Sequence, residues 1–298
     1  MTIVILADDL LNKASINAQE TQAIMEAGRL FGCKVYTIPP NFDDCKTAEN
    51  ALAYVPKFEE KRLGVWVGVI PDLVRYRAIY TSALRKNIQL INSPEQHRTA
   101  MEFDRFYPLL EGITPKSVII NSVTDIQLVI DQLDFPVFVK GVVKSNKDEG
   151  WNAVVAHNID ELTGLAERIL SHQSRSRGKV IVRELVRLNV ITTDPNGFPI
   201  GREYRVFVYR GKVLAYGFYW DDYNDSKALS SSEKHQIEGL LKTVAKRVKT
   251  PFISVDVGQT DNGDWIVIEI GDAQFSGLSQ IPVLELWSKV KDFQLKEL

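Results

Sequence analysis

The segments Phe252-Ile-Ser-Val-Asp-Val-Gly258 and Trp265-Ile-Val-Ile-Glu-Ile-Gly271 read as two strands joined at Asp261-Asn262-Gly263-Asp264. An Asn-Gly pair favours a two-residue hairpin loop. With Asn262 and Gly263 as that loop, Asp261 pairs with Asp264, and Asp256 stands directly opposite Glu269. Alternation then puts Ile253, Val255, Val257, Ile266, Ile268 and Ile270 on one apolar face, and Ser254, Asp256, Val267 and Glu269 on the other. Like charges facing each other across a ladder are destabilising, so the second face asks for a cation. Mg²⁺, which one or two carboxylates hold together with phosphate oxygens, suits such a pair. A three-residue loop would slip the register by one and turn one acid to the other face. The simpler alternative is a solvated sheet face on which each acid pairs with a basic neighbour.

The rest of the chain must supply the context. Its 298 residues suffice for two or three subdomains around a sizeable core. Hydrophobic and charged fractions of 45% and 25% fit a globular protein, and no run of 18 apolar residues offers a membrane span. The start, Met1-Thr-Ile-Val-Ile-Leu-Ala-Asp8, lacks the basic segment and cleavage site of a signal peptide, so a cytoplasmic protein is expected. A net charge of −2 argues against a general nucleic-acid coat while leaving room for a local basic groove. Cys33 and Cys45, with four histidines placed elsewhere, are too few for a disulfide framework or a zinc site.

Strand and helix patterns alternate over the first ninety-odd residues: strands at 3–6, 34–38, 63–69 and 88–91, with helices at 16–31 and 71–86. This predicts a small, mostly parallel α/β layer. Ser93-Pro94-Glu95-Gln96 opens the next helix, with Ser93 as N-cap, Pro94 at its first position and Gln96 completing a capping box. Strands follow at 117–121, 136–140, 152–156 and 179–186, with helices at 124–133 and 158–171 and a polar loop over 171–178. A second hairpin is expected around Arg210-Gly211, then a helix over 231–248.

Several apolar strands end in charge. Val137-Phe-Val-Lys140 runs into a polar loop with Lys144, Ser145 and Lys147. Such lysines either snorkel to water or converge on phosphates as movable charges. Val180-Ile-Val-Arg-Glu-Leu-Val186 is broken by Arg183 and Glu184, which form either a surface ion pair or the edge of a nucleotide site. Glu203 and Arg205 share a face by the two-residue period. Asp8 and Asp9 end the first strand, where open α/β sheets bind ligands, and serve equally well as loop acids. Tyr216, Phe218, Tyr219 and Trp220, followed by Asp221 and Asp222, either line an acceptor pocket or pack as ordinary aromatics.

The order of these parts resembles the ATP-grasp superfamily, and in detail the clade named for one arginine and two lysines at its nucleotide site. The segments that carry the resemblance are residues 90–95, 106–109 and 114–117, Val139-Lys-Gly-Val-Val-Lys-Ser145 followed by Trp151, Val182-Arg-Glu-Leu185, and Ile268-Glu-Ile-Gly-Asp-Ala-Gln-Phe-Ser-Gly277. They extend from about residue 60 to 280. The resemblance implies an α/β and α+β chain with the ATP-grasp fold. A small parallel N-terminal α/β domain (1–95) would precede two α+β lobes, central (96–186) and C-terminal (187–298), that sandwich ATP.

The same resemblance implies roles. Lys140 and Lys144 would contact ATP phosphates, with Ser145 in the loop that covers them; Glu184, Leu185 and Val186 would form the adenine hinge. Arg183 would be the clade's arginine, Glu203 the acid at the ribose hydroxyls, and Arg205 a charge on the γ-phosphate or acyl phosphate, so that Lys144, Arg183 and Arg205 carry the catalysis. Asp256 and Glu269 would hold Mg²⁺. Many superfamily members have Asn two residues after that glutamate, whereas this chain has Gly271 followed by Asp272, so Asp272, water or substrate completes the shell. The implied activity is an ATP- and Mg²⁺-dependent carboxylate–amine ligase working through an acyl phosphate on a small-molecule, peptide or amino-acid-like substrate. A phosphotransferase and a non-catalytic nucleotide-binding module are the alternatives. Ligases of this type are often homodimers.

Overall fold

A computed structural model describes residues 2–10, 12–39, 47–143, 145, 147–225 and 228–295; Cys45 and Lys144 lie outside the described residues. The N-terminal layer comprises β1 (Val4–Asp8), α1 (Ile16–Leu30), β2 (Lys34–Ile38), α2 (Ala48–Ala51), β3 (Arg62–Val67), α3 (Leu73–Arg85) and β4 (Ile88–Leu90). Its sheet has the order β2-β1-β3-β4 and every pairing is parallel. All of β1 is buried, which explains its unbroken apolar run. The Ser15 hydroxyl accepts from Ala18 N to start α1, and Asp72 does the same for α3 through Arg75 N.

Asp8 ends β1 in the core rather than in a ligand loop. Its carboxylate accepts from Trp66 Nε1 at 3.0 Å, Val69 N at 2.9 Å and Arg75 at 3.4 Å. Gly68, at φ +140°, makes the room, since a Cβ there would lie 2.5 Å from this carboxylate. Burial pushes the Asp8 carboxyl from 3.8 up to about 6. The unfolded chain therefore releases this proton first, and the stability it contributes below about pH 4 is lost as pH rises through 6, by roughly 3 kcal/mol. Asp8→Asn is expected to remove that slope, read from urea midpoints of both proteins at pH 4.5 and 7. An unchanged slope would contradict the assignment.

The chain then forms α4 (Pro94–Met101) and α5 (Phe103–Leu110). The Ser93–Gln96 capping box is reciprocal, as expected from sequence. A second sheet combines β5 (Ser117–Ile120), β6 (Val137–Gly141), β7 (Val155–Ala156) and β8 (Val180–Glu184) in the antiparallel order β5-β8-β6-β7. With it run α6 (Ile126–Ile130), α7 (Ile159–Ser171) and α8 (Gln173–Ser176), the last within the stretch expected to be loop.

β9 (Val190–Thr193) and β10 (Pro199–Gly201) form a small hairpin ahead of the third sheet. That sheet contains β11 (Glu203–Tyr209), β12 (Lys212–Phe218), β13 (Phe252–Gln259) and β14 (Trp265–Asp272), ordered β12-β11-β13-β14 and antiparallel throughout. Arg210 and Gly211 both adopt positive φ between paired Tyr209 and Lys212, the two-residue turn expected there. Helix α9 (Ser231–Val248) covers one face, sharing an apolar core with β11, β13 and β14, whereas α10 (Val283–Leu295) packs with α1 in a second core. That second core joins Ile3, Ile5 and Val65 of the first sheet to Phe207 and Phe252 of the third.

The β13–β14 hairpin departs from the register expected at its tip. Its loop has three residues: Thr260 N donates to Asp264 O at 2.8 Å, and Gly263 adopts φ +94°. Alone, this would carry Glu269 out of line with Asp256. A β-bulge compensates, because Val257 pairs with Val267 and Asp256 with Glu269, leaving Ile268 as the extra residue. Between turn and bulge the faces are reversed from the sequence expectation. Trp265 and Val267 join Ile253, Val255, Val257 and Ile270 in the core, while Ile266 and Ile268 lie half-buried outside it.

Candidate active site

The second and third sheets border a cleft of about 860 Å³ whose walls include Lys140, Arg183 and Glu184 on one side and Glu203 and Glu269 on the other. Asp256 and Glu269 are cross-strand partners, as the sequence suggested. Each also has a basic partner. Arg205 grips Asp256 with two parallel bonds, Nε to Oδ1 at 2.8 Å and a terminal nitrogen to Oδ2 at 2.9 Å. Such a fork is the strong form of the carboxylate–guanidinium pair. Arg205 lies directly opposite Asp256 on the neighbouring strand, which is why the two meet. Burial opposes its charge, but Asp256 outweighs burial and holds the guanidinium above its ordinary range.

From the facing sheet, Lys140 donates to Glu269. Burial pulls the Lys140 ammonium below its ordinary range. Glu269 is also desolvated, but Lys140 outweighs that cost and lowers its carboxyl. Arg183, on the same sheet as Lys140, donates to Ile268 O and to Thr114 Oγ1, each at 2.9 Å, and stacks over Phe103 at 5.0 Å. Burial lowers its guanidinium to about 10. Glu203 is buried on the same face as Arg205; desolvation raises its carboxyl, with Lys147 opposing.

After Glu184 the chain leaves the ladder, and Leu185 and Val186 line the cleft. Ser145 lines it as well. The structure thus brings together Lys140, Ser145, Arg183, Glu184, Leu185, Val186, Glu203, Arg205, Asp256 and Glu269. Lys144 lies outside the described residues.

Asp272 is not brought to the acid pair. It pairs with Ile253, so alternation turns it away from Glu269 and into the interior, where it is fully buried. There it accepts from Asn92 Nδ2 at 2.8 Å and Gln274 N at 3.0 Å, and meets His97 Nδ1 at 2.8 Å. Gly271 holds the cleft-side position opposite Ser254. A Cβ on Gly271 would lie 2.9 Å from Ser276 Oγ and 3.0 Å from Ser254 Oγ, and these hydroxyls bond each other at 2.7 Å. A serine pair therefore occupies the space of a longer side chain, and the sequence carried no sign of it.

Asp256 and Glu269 remain the cleft's hard oxygen donors. Among the described residues no third His, Cys, Asp or Glu joins them. Two carboxylates completed by water and phosphate oxygens suit Mg²⁺.

The aromatic stretch divides. Tyr219 lies under the Arg205 guanidinium at 4.9 Å, and Trp220 Nε1 donates to Gly201 O at 3.1 Å. Phe218 packs in the core, and Tyr216 reaches Glu238. Glu20 of α1 also comes close, accepting from Leu278 N at 2.8 Å beside Gly277, whose carbonyl Arg205 binds. No local sequence signal marks Glu20, because its partners lie more than 250 residues away.

Similarities to known proteins fit this geometry. No curated protein sequence matches the chain. Among solved structures, the RimK domain ATP-grasp protein of Sphaerobacter thermophilus superposes with a TM-score of 0.63 at 16% identity, covering 99% of this chain and 100% of that one. The ATP complex of D-alanine–D-alanine ligase from Bacillus anthracis gives 0.66 at 14% identity, covering 100% and 98%. VanG D-Ala:D-Ser ligase from Enterococcus faecalis gives 0.62 at 15%, covering 97% and 95%. These likenesses show the ATP-grasp fold. A family model for the ATP-grasp domain of the one-arginine, two-lysine clade, family 3, matches residues 127–290. With more than half of the chain matched, the protein belongs to family 3 of the ATP-grasp clade named for one arginine and two lysines.

Proposed function

We propose that this protein is an ATP- and Mg²⁺-dependent carboxylate–amine ligase, with residues 96–186 and 187–298 as the lobes around the nucleotide and 1–95 as the flanking domain. The observation that carries the reading is the facing pair Asp256–Glu269, each acid matched to a buried cation from a different strand. Neighbouring folds whose names denote D-Ala–D-Ala and D-Ala:D-Ser ligases support the choice of an amino-acid-like or peptide substrate.

In this reading the segment Glu184–Val186 meets the adenine edge and Glu203 the ribose hydroxyls. Lys140, Lys144 and Arg183 neutralise phosphate oxygens, with Ser145 covering them. Arg205 faces the transferred group. Mg²⁺ held by Asp256 and Glu269 would neutralise charge on the phosphates. The substrate carboxylate attacks the γ-phosphorus, ADP departs, and an amine then displaces phosphate from the acyl phosphate. Phosphoryl transfer of this kind needs positioning and cations rather than a protein nucleophile, which matches a cleft of Lys, Arg, Asp and Glu. A water-poor cleft protects the acyl phosphate from hydrolysis.

Hydroxylamine trapping during ATP turnover with pooled amino acids and peptides is expected to yield a hydroxamate together with ADP. A stable phosphorylated product without any hydroxamate would assign a phosphotransferase instead. ATP binding with no ADP formed across the pools would assign a binding module.

A further inference from the structure

Lys147 lies in the segment that follows β6 and has no part in the roles above, yet its ammonium stands inside the same cleft. Three rings surround it: Tyr219 and Trp220, each with its centroid 5.3 Å away, and Phe198 at 5.9 Å. The rings brace one another, Tyr219 against Trp220 at 5.1 Å and Trp220 against Phe198 at 5.7 Å, with Trp151 behind Phe198 at 5.6 Å. An ammonium over several ring faces is held by their quadrupoles, more strongly where water is excluded.

The charges around Lys147 mark the end of the cleft it serves. Its carboxylate neighbours are Glu203, Glu269 and Asp256, which hold it above its ordinary range although burial works the other way. It also lies near enough to Lys140 for the two ammonium groups to repel. Counting the described side chains, Lys140, Lys147, Arg183 and Arg205 face Glu203, Asp256 and Glu269, which leaves one positive charge in a desolvated space. An anion entering between Lys140 and Lys147 relieves their repulsion and removes that excess. A lysine that served packing alone would need neither the acidic neighbours nor a place on the cleft wall.

We propose that Lys147 is a further catalytic cation of this site, presented by the Phe198–Tyr219–Trp220 cage to the terminal phosphate of the nucleotide. The inference rests on the proposed ATP site. It adds a lysine beyond Lys140 and Lys144, and it assigns the three rings the task of positioning it. Binding of a triphosphate exchanges the carboxylate neighbours of the ammonium for phosphate oxygens, whereas a diphosphate leaves it where it is.

The test is calorimetric titration of the full chain with Mg·ADP and with the non-hydrolysable Mg·AMPPNP, for wild type, Lys147→Met, Lys147→Arg and Lys140→Met. Lys147→Met is expected to weaken Mg·AMPPNP about tenfold or more and Mg·ADP less than about twofold. Lys147→Arg, which keeps the charge and the ring contacts, is expected to recover most of the loss. Lys140→Met is expected to weaken both nucleotides. Equal losses for the two nucleotides in Lys147→Met, or no loss in either, would overturn the inference while leaving the nucleotide site standing. Failure of the wild type to bind either nucleotide would overturn the proposed function and this inference with it.

Discussion

Glu269→Gln is expected to lower Mg²⁺-dependent ATP turnover by roughly 10²–10³-fold, the usual cost of removing one preorganised electrostatic contact from a phosphoryl-transfer site. Glutamine keeps the shape and an oxygen for Lys140 but loses the charge that a metal requires. Lys140 is then a buried ammonium without its counter-charge, so the variant is also expected to lose about 1–3 kcal/mol of stability. Activity and stability separate in the double variant Lys140→Met/Glu269→Gln. With both charges gone, stability is expected to return towards wild type while turnover stays lost. Denaturant titration and coupled ADP release across these variants read the two effects. Unchanged turnover in folded Glu269→Gln would remove this residue from the metal shell.

Asp272→Ala is expected to act in the opposite sense, costing roughly 3 kcal/mol of stability while leaving the Mg²⁺ concentration for half-maximal turnover within about twofold of wild type. The carboxylate is the meeting point of a buried polar network. Asn92 reaches it and also bonds Phe252 through both N–H and C=O, Gln274 reaches it and bonds Trp66 N, and Tyr76 joins Gln274 to Asn92 O. Removal leaves several buried donors unpaired across the contact between the first and third sheets. Thermal or urea unfolding measures the loss. A tenfold weaker Mg²⁺ response with stability intact would return Asp272 to the metal shell.

These two acids also show how far the sequence could be read. The Asn-Gly signal pairs Glu269 with Asp256 correctly, yet the turn has three residues and the pairing survives through the bulge at Ile268. Nothing in the run Trp265-Ile-Val-Ile-Glu-Ile270 distinguishes an extra residue, since every register of it is apolar and β-branched. Lys140 and Arg183 were legible because a charge that interrupts an apolar strand needs a reason to be there. Asp272 was misread because its partners are some 180 residues away, and short-range period says only which face a side chain takes once the register is known. The β9–β10 hairpin has its own local signal in Asp194-Pro-Asn-Gly197, a strong turn sequence between short strands that the sequence reading above passes over.

The bulge has a mechanical meaning as well. Ile268 has no partner in the β13–β14 ladder, and its carbonyl is the oxygen that Arg183 takes from the opposite wall of the cleft. A regular ladder would turn alternate carbonyls inward to the neighbouring strand; the interruption offers one to the facing sheet instead. Lys140 makes the second crossing, one residue further along, at Glu269. The two walls are thus latched by adjacent residues of a single strand, and any opening wide enough to admit a nucleotide from that side must release both crossings together.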